Sequence, residues 1–227
     1  VVNFTTMQQE IENIEKVTGE KVTNVFIDER AHLIMPYHTL LDGAEESKRS
    51  SDQKIGTTKR GIGPCYSDKG ARMGIRAGDL KDEAWLKKRI ELLLPKKNRD
   101  LEYYGLKTFT VEELMDVCKA WKDRFGDYII DTVPIIREAI ESEKKILLEG
   151  QLGSLKDTDF GIYPMVTSSS TLASYGAIGA GIPCYEIKDI VTVVKAYSSA
   201  VGAGEFVSEI FGDEADELRR RGGDGGE

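Results

Sequence analysis

Three short apolar runs occur along the chain, and each is followed by a loop or by a helical pattern. They are VTNVFI at residues 22–27, ILLEG at 146–150 and DIVTVVKAY at 189–197. Such runs are typical of buried strands in a parallel sheet. Strand signals that alternate with helical ones predict an α/β fold, here a mostly parallel sheet flanked by helices.

Helical periodicity fills the stretches between these runs. A capping box, in which Thr is followed three residues later by Gln or Glu, predicts helix starts at Thr6 and Thr110. The later periodic segments predict helices at residues 81–94, 110–125 and 132–144, and EADELRRRGG predicts a charged helix near the end.

The segment 48–78 is rich in Gly, Lys and Arg and has little hydrophobic periodicity, which predicts a long loop. One interpretation is an anion cradle, because glycines let backbone N–H groups approach oxygens while Thr and Arg add donors. The other is a solvated basic loop with turn glycines. Composition leaves both open, and the nucleotide P-loop pattern G-x-x-x-x-G-K-[ST] does not occur.

Within this segment, residues 61–72 read G-I-G-P-C-Y-S-D-K-G-A-R. The run resembles the signature of the adenylosuccinate synthetase family, G-I-G-P-x-Y-x-x-K-x-x-R, at every specified position. GTTKRGIGP, RAGDL, GIYPMVTSS and VGAGEF also resemble family segments, in the family's order. The resemblance spans nearly the whole chain, and it implies a single incomplete, P-loop-NTPase-like α/β domain over residues 1–227.

Members of this family are cytoplasmic homodimers that join inosine monophosphate (IMP) to L-aspartate in purine biosynthesis, using GTP and Mg²⁺. The family's general base and acid belong to the motifs G-D-E-G-K-G-K and N-N-A-G-H-T, which do not occur here. The C-terminal loops for aspartate and guanine are not found either. We therefore expect an internal fragment that is inactive alone, with no metal ligand of its own and with the GTP and Mg²⁺ ligands mostly outside it.

The resemblance assigns roles to four residues. Thr58 and Thr167 match two Thr residues that contact the IMP phosphate. Arg72 matches an Arg that reaches the partner subunit's nucleotide in a homodimer. Lys69 matches the signature lysine, an active-site residue of the family, although an ion pair that fixes the loop is an equal alternative.

The chain departs from the family pattern after the ILLEG run. Relatives read E-G-A-Q-G there, with the Gln on the nucleotide, whereas this chain has Gln151 followed by Leu152. A gap-free match places Leu152 at the Gln position, so either Gln151 substitutes through a local shift or the contact is lost. The family's T-R-V-G-E-G-P-F is also changed at residues 199–206, which keeps open an alternative function: a non-catalytic nucleotide-binding or dimerisation module.

Composition limits the possible partners. The net charge of −8 argues against a nucleic-acid surface, and no apolar run is long enough to span a membrane. The cysteines Cys65, Cys118 and Cys184 have no zinc-type spacing, which indicates a reducing compartment. His32 and His38 are six residues apart and are predicted to be structural.

Overall fold

A computed structural model describes residues 1–51, 53–182, 187–200 and 202–223. The chain divides into two compact units, each described here by itself. The first unit comprises Val1–Lys48 and Thr58–Leu147, and the second comprises Arg49–Thr57 and Leu148–Glu227. The assignment of residues 1–227 to one incomplete domain stays a prediction.

The first unit is built mainly from helices. These are α1 (Phe4–Thr18), α2 (Pro36–Lys48), α3 (Ile62–Ala71), α4 (Glu83–Tyr103), α5 (Val111–Phe125) and α6 (Val133–Glu141), with 3₁₀ turns at Ala77–Lys81 and Gly126–Tyr128. The predicted helices at 81–94, 110–125 and 132–144 correspond to α4, α5 and α6. Helix α4 extends nine residues further than its prediction, to Tyr103.

One of the two predicted capping boxes is confirmed. The Thr110 hydroxyl accepts from the Glu113 N–H at 3.1 Å, and the Glu113 carboxylate accepts from the Thr110 N–H at 2.8 Å. The box predicted at Thr6 is wrong, because α1 begins earlier and its N-cap is Asn3, whose side chain accepts from the Thr6 N–H. Asn is as good an N-cap as Thr, so the sequence offered two competing starts.

The sheet is parallel, as predicted, but it is small. Strand β1 (Ile27–Asp28) pairs with β2 (Ile129–Ile130), with Ile27 opposite Ile129. The strands predicted at 146–150 and 189–197 are wrong for this structure, because neither segment is a strand in the described residues. A strand needs a hydrogen-bonding neighbour, and the described part of the chain pairs none with them.

In the core of the first unit, helix α1 packs against helix α5. Phe4 of α1 stacks on Phe125 at 4.8 Å between ring centroids and meets Trp121 edge-on at 5.8 Å. Tyr37 of α2 and Ile90 of α4 are fully buried in the same cluster. These contacts hold α2 and α4 in place, and α3 packs on α2.

The second unit contains little regular structure. It has a 3₁₀ turn at Ser154–Lys156, helix α7 (Ser174–Ala180) and helix α8 (Asp213–Gly222). Helix α8 is the predicted charged helix, with acidic residues in its first turn and arginines in its last, as the helix dipole favours. Among the residues that the structure describes, no helix is both long and apolar enough to cross a membrane.

Candidate functional site

The signature residues form a helix, where the sequence predicted a loop throughout segment 48–78. Gly61 is the N-cap of α3 and has a left-handed φ of 81°. Pro64 lies in the first helical turn, where a missing N–H costs nothing. Arg72 ends the helix in the left-handed conformation, with its N–H donating to the carbonyls of Asp68 and Lys69.

Gly61 holds the start of this helix against α2. Its N–H donates to the buried carboxylate of Asp42 at 2.8 Å. A Cβ at position 61 would lie 2.8 Å from the Thr39 nitrogen and 2.9 Å from the His38 Cβ. Only glycine fits here, because the two backbones approach too closely for any side chain.

Asp68 anchors the middle of α3 through buried charged partners. Its carboxylate lies 2.9 Å from His38 Nε2 and 2.5 Å from Lys97 Nζ, and Asp68, His38 and Lys97 are all more than nine-tenths buried. His38 Nδ1 accepts from the Met35 N–H, so the proton is on Nε2 and points to Asp68. The helix is therefore fixed by a buried ion pair and a neutral histidine.

The pKa shifts agree with this arrangement. Burial lowers the pKa of His38 and outweighs the raising effect of Asp68, so the imidazole stays neutral. Burial alone would raise the pKa of Asp68, but hydrogen bonds from His38 and Lys97 bring it below its ordinary value. The carboxylate is thus ionised, and one negative charge faces one buried ammonium.

Lys69 and Arg72 lie beside this anchored core, with both side chains exposed. Lys69 Nζ is 5.4 Å from the centre of the Tyr66 ring, and no carboxylate of the described residues pairs with it. The Arg72 carbonyl accepts from the Arg89 guanidinium at 3.2 Å. The ion pair that fixes this segment is made by Asp68 with Lys97.

Thr58 precedes the helix and is exposed. Lys59 follows with a left-handed φ of 55°, which is uncommon for a residue with a side chain. An exposed segment with an uncommon backbone conformation therefore lies directly before α3.

In the second unit, Gln151 contacts the segment that carries Thr167. Its side-chain amide donates to the Ser169 hydroxyl at 3.1 Å. Leu152 has a left-handed φ of 59° and is 66% exposed. Thr167 is half-buried, and its N–H donates to the Lys156 carbonyl at 2.9 Å. The structure therefore brings Gln151, rather than Leu152, into contact with the Thr167 segment.

The Asp157 side chain forms several hydrogen bonds within this part of the second unit. Its buried carboxylate accepts from the N–H groups of Asp159, Phe160 and Thr171, and from the Ser170 hydroxyl at 2.7 Å. The bond from Ser170 and those from the backbone hold the pKa of Asp157 well below its usual range. A single ionised group thus ties the turn after the 3₁₀ helix to residues 170–171.

No metal site is formed by the described residues, in which no cluster of three or more His, Cys, Asp or Glu side chains occurs. His38 is structural, as predicted. His32 is buried and its Nδ1 has no hydrogen-bond partner. Burial raises the pKa of Cys65 to about 12, which makes the thiol inert, and Cys184 lies outside the described residues.

The sequence did not reveal the residues that anchor these segments. Asp68 lies at an unspecified position of the signature, and Lys97 is one of several lysines on α4 with nothing to distinguish it. Asp157 carried a weak signal, because Asp residues that precede two or three turn-forming residues often accept their N–H groups.

Comparison with known proteins identifies the family of the chain. The family model described as adenylosuccinate synthetase matches residues 1–227. A relative named adenylosuccinate synthetase 1, from Methanosarcina acetivorans, is 42% identical over 211 residues, which cover 93% of this chain and 49% of the relative. The adenylosuccinate synthetase of Carboxydothermus hydrogenoformans is 43% identical over 98% of this chain and 52% of its own.

A solved structure supports the same match. The fully ligated adenylosuccinate synthetase from Plasmodium falciparum superposes with a TM-score of 0.85 at 33% identity, and the match covers 98% of this chain and 51% of that one. The chain spans about half the length of the curated relatives it matches.

Proposed function

Because the chain belongs to the adenylosuccinate synthetase family, we propose that it supplies IMP-binding residues of a GTP-dependent ligase that joins IMP to L-aspartate in purine biosynthesis. The family reaction phosphorylates the purine O6 with GTP, and the aspartate amine then displaces that phosphate. Both steps depend mainly on positioning and on stabilising negative charge. A cytoplasmic location is part of this proposal.

One observation carries the proposal. The signature residues form α3, whose inner face is fixed by the buried Asp68–Lys97 pair, while Lys69 and Arg72 remain exposed. Cations that are held by a rigid element but have no carboxylate partner suit an anionic ligand such as a phosphate monoester. A cation of purely structural purpose would instead be expected to have an acidic partner.

We assign the residues as follows. Thr58 and Thr167 donate to the IMP phosphate, and Gln151 contacts the nucleotide in place of the family Gln. Lys69 acts as an active-site cation. Its lack of an acidic partner in the described residues supports this role over that of a structural ion pair.

We assign acid–base catalysis and metal binding to residues outside 1–227. Among the described residues no group of three or more His, Cys, Asp or Glu side chains occurs, and we assign no Mg²⁺ ligand to them. The motifs G-D-E-G-K-G-K and N-N-A-G-H-T do not occur in residues 1–227. We therefore expect these residues alone to bind IMP without forming adenylosuccinate, and to depend on further residues for GTP and Mg²⁺.

Calorimetric titration of IMP into the chain tests the proposal. Thr58→Ala should weaken binding by about 10-fold to 100-fold, because a hydrogen bond to a charged group contributes about 1.5–3 kcal/mol. Thr23→Ala, at another exposed threonine of the first unit, is the matched control and should leave the affinity unchanged. Saturable binding that is indifferent to both substitutions would place the site elsewhere.

Arg72 is proposed to reach the nucleotide of the partner in a homodimer. Arg72→Ala should then weaken IMP binding only at concentrations where sedimentation shows a dimer, whereas Arg99→Ala on α4 should have no effect. An equal loss in monomer and dimer would assign Arg72 to the site of its own chain.

A non-catalytic nucleotide-binding or dimerisation module is the second candidate. Leu152 favours it, because an exposed leucine stands where a gap-free match has the nucleotide-contacting Gln. Gln151→Ala tests whether Gln151 replaces the family Gln: a large loss of IMP affinity supports the shifted contact, and unchanged affinity means that the contact is lost. Sequencing the gene beyond both ends discriminates between the two functions, because G-D-E-G-K-G-K upstream and G-A-T-T-G-R downstream would restore the ligase.

A further inference from the structure

We infer that residues 202–204 form a backbone clasp that holds segments 55–57 and 162–167 together within the second unit, and so positions the Thr167 hydroxyl. The clasp consists of Gly202, Ala203 and Gly204. The contacts that define it, among the described residues, lie within the second unit. The consequence for ligand binding rests on the proposed function, whereas the clasp itself is tested without ligand.

One side of the clasp grips segment 55–57 by direct backbone contact. The Ala203 N–H donates to the Ile55 carbonyl at 3.0 Å. A Cβ on Gly56 would lie 2.4 Å from Gly202 Cα, and a Cβ on Gly202 would lie 2.9 Å from the Ile55 oxygen. Both glycines also have left-handed φ angles, of 74° and 97°. The approach is therefore possible only with glycine at both positions.

The other side packs on segment 162–167. A Cβ on Gly204 would lie 2.7 Å from the Met165 Cβ and 3.3 Å from the Ile162 Cδ1. The Met165 carbonyl accepts from Lys156 Nζ at 3.2 Å, and the Thr167 N–H donates to the Lys156 carbonyl at 2.9 Å. Gly204 thus rests on a segment that is itself folded around Lys156.

These two sets of contacts couple segments that are far apart in sequence. The same three residues contact the chain just before Thr58 and the chain just before Thr167. Because the contacts to the two segments are made by residues adjacent in the chain, we expect displacement of the clasp to disturb both segments. The altered family loop at 199–206 therefore keeps a role through its backbone, which needs neither the family Arg nor the family Pro.

Amide hydrogen exchange without nucleotide tests the coupling. Gly204→Ala and Met165→Ala alter only the side facing 162–167, yet both should speed exchange in segment 55–57, by about tenfold and about threefold respectively. Gly202→Ala should speed exchange in both segments by at least about tenfold. Exchange that rises only in the segment next to each substitution would overturn the coupling.

Two control glycines separate the clasp from general backbone strain. Gly212 has a left-handed φ of 79° and nothing within 4 Å of an added Cβ, so Gly212→Ala carries the strain without the clash. Gly179 in α7 has open space as well and no unusual φ, so Gly179→Ala carries neither. Neither variant should change exchange in segments 55–57 and 162–167. If Gly202→Ala unfolds the second unit, the milder Met165→Ala still decides the outcome.

IMP titration of the same variants tests the functional consequence. Gly202→Ala should weaken binding about tenfold or more, and Gly179→Ala should leave it unchanged. If Gly202→Ala frees both segments but binds IMP normally, the positioning role is wrong. If the unaltered chain binds no IMP, the proposed function fails, and the exchange results alone decide whether the clasp couples the two segments.

Discussion

At the scale of single residues, Asp68 fixes the position of helix α3 in the candidate site. Its carboxylate has two buried partners, His38 and Lys97, from two different helices. A buried charge is tolerated only when it is paired and hydrogen-bonded, since desolvation otherwise costs several kcal/mol. The pair therefore fixes the geometry of α3 more than it adds net stability.

Removing Lys97, the cation that pairs with Asp68, should reveal the free-energy cost of burying an unpaired carboxylate. Lys97→Met leaves a buried carboxylate without its cation and should lower the free energy of unfolding by about 3–5 kcal/mol. Lys96→Met, on the exposed face of the same helix, should change it by less than about 0.5 kcal/mol. Urea denaturation measures both. The double variant Asp68→Asn/Lys97→Met should regain part of the loss, and equal midpoints for the two single variants would contradict the argument.

The two buried histidines make stability depend on pH in a defined direction. Burial, with the positive charges of Arg76 and Lys69, lowers the pKa of His32 to about 4, and burial also lowers that of His38. Between the ordinary value of about 6.5 and the lowered one, the unfolded chain binds the proton and the folded chain does not. Each histidine then removes up to about 1.4 kcal/mol of stability per pH unit as the pH falls.

His32→Gln isolates one of these contributions. Above pH 7 it should leave the pH dependence unchanged, and between pH 6.5 and 5 it should reduce the slope of the unfolding free energy by about one proton. Urea titrations at pH 7.5, 6.0 and 5.0 give both slopes. Identical slopes for the variant and the unaltered chain would mean that His32 is protonated in the folded state.

At the scale of elements, α3 shows what the sequence could and could not predict. The signature residues were identified correctly, but their helix was predicted as a loop, because Gly61, Gly63, Pro64 and Gly70 all have low helix propensity. Tertiary anchoring through Asp68 and Gly61 overrides that propensity. By contrast, α5 was predicted from its start at Thr110 to its end, because its capping box and periodicity are local signals.

The two glycines at the ends of α3 should respond in opposite directions. Gly61→Ala forces a left-handed φ on alanine and places a Cβ against α2, so it should destabilise by at least about 2 kcal/mol. Gly70 has open space around it, and Gly70→Ala should stabilise by about 0.5–1 kcal/mol through helix propensity. Thermal unfolding measures both. Similar losses at the two positions would mean that α3 is not held by Gly61.

At the scale of the whole molecule, the two units differ in how much of their sequence pattern they satisfy. In the first unit, the periodic apolar residues of the helices are buried in one shared core. The parallel pairing of Ile27 with Ile129 joins residues that are too far apart in sequence for a local pattern to predict. In the second unit, the apolar run at 189–197, which predicts a strand, remains largely exposed. A sequence pattern indicates that such a run favours burial, but it does not identify the surface that covers it.

The exposed valines of the 189–197 run lead us to expect an effect on self-association. Val191, Val193 and Val194 are between 79% and 92% exposed, so changing them removes no core contact. Val191→Ser/Val193→Ser should reduce concentration-dependent self-association in sedimentation velocity while changing the free energy of unfolding by less than about 0.5 kcal/mol. Val17→Ser, at a single exposed valine of α1, is the matched control and should alter neither quantity. A marked loss of stability in the double variant would show that this run is buried in solution, and that its apolar character serves a contact within the chain.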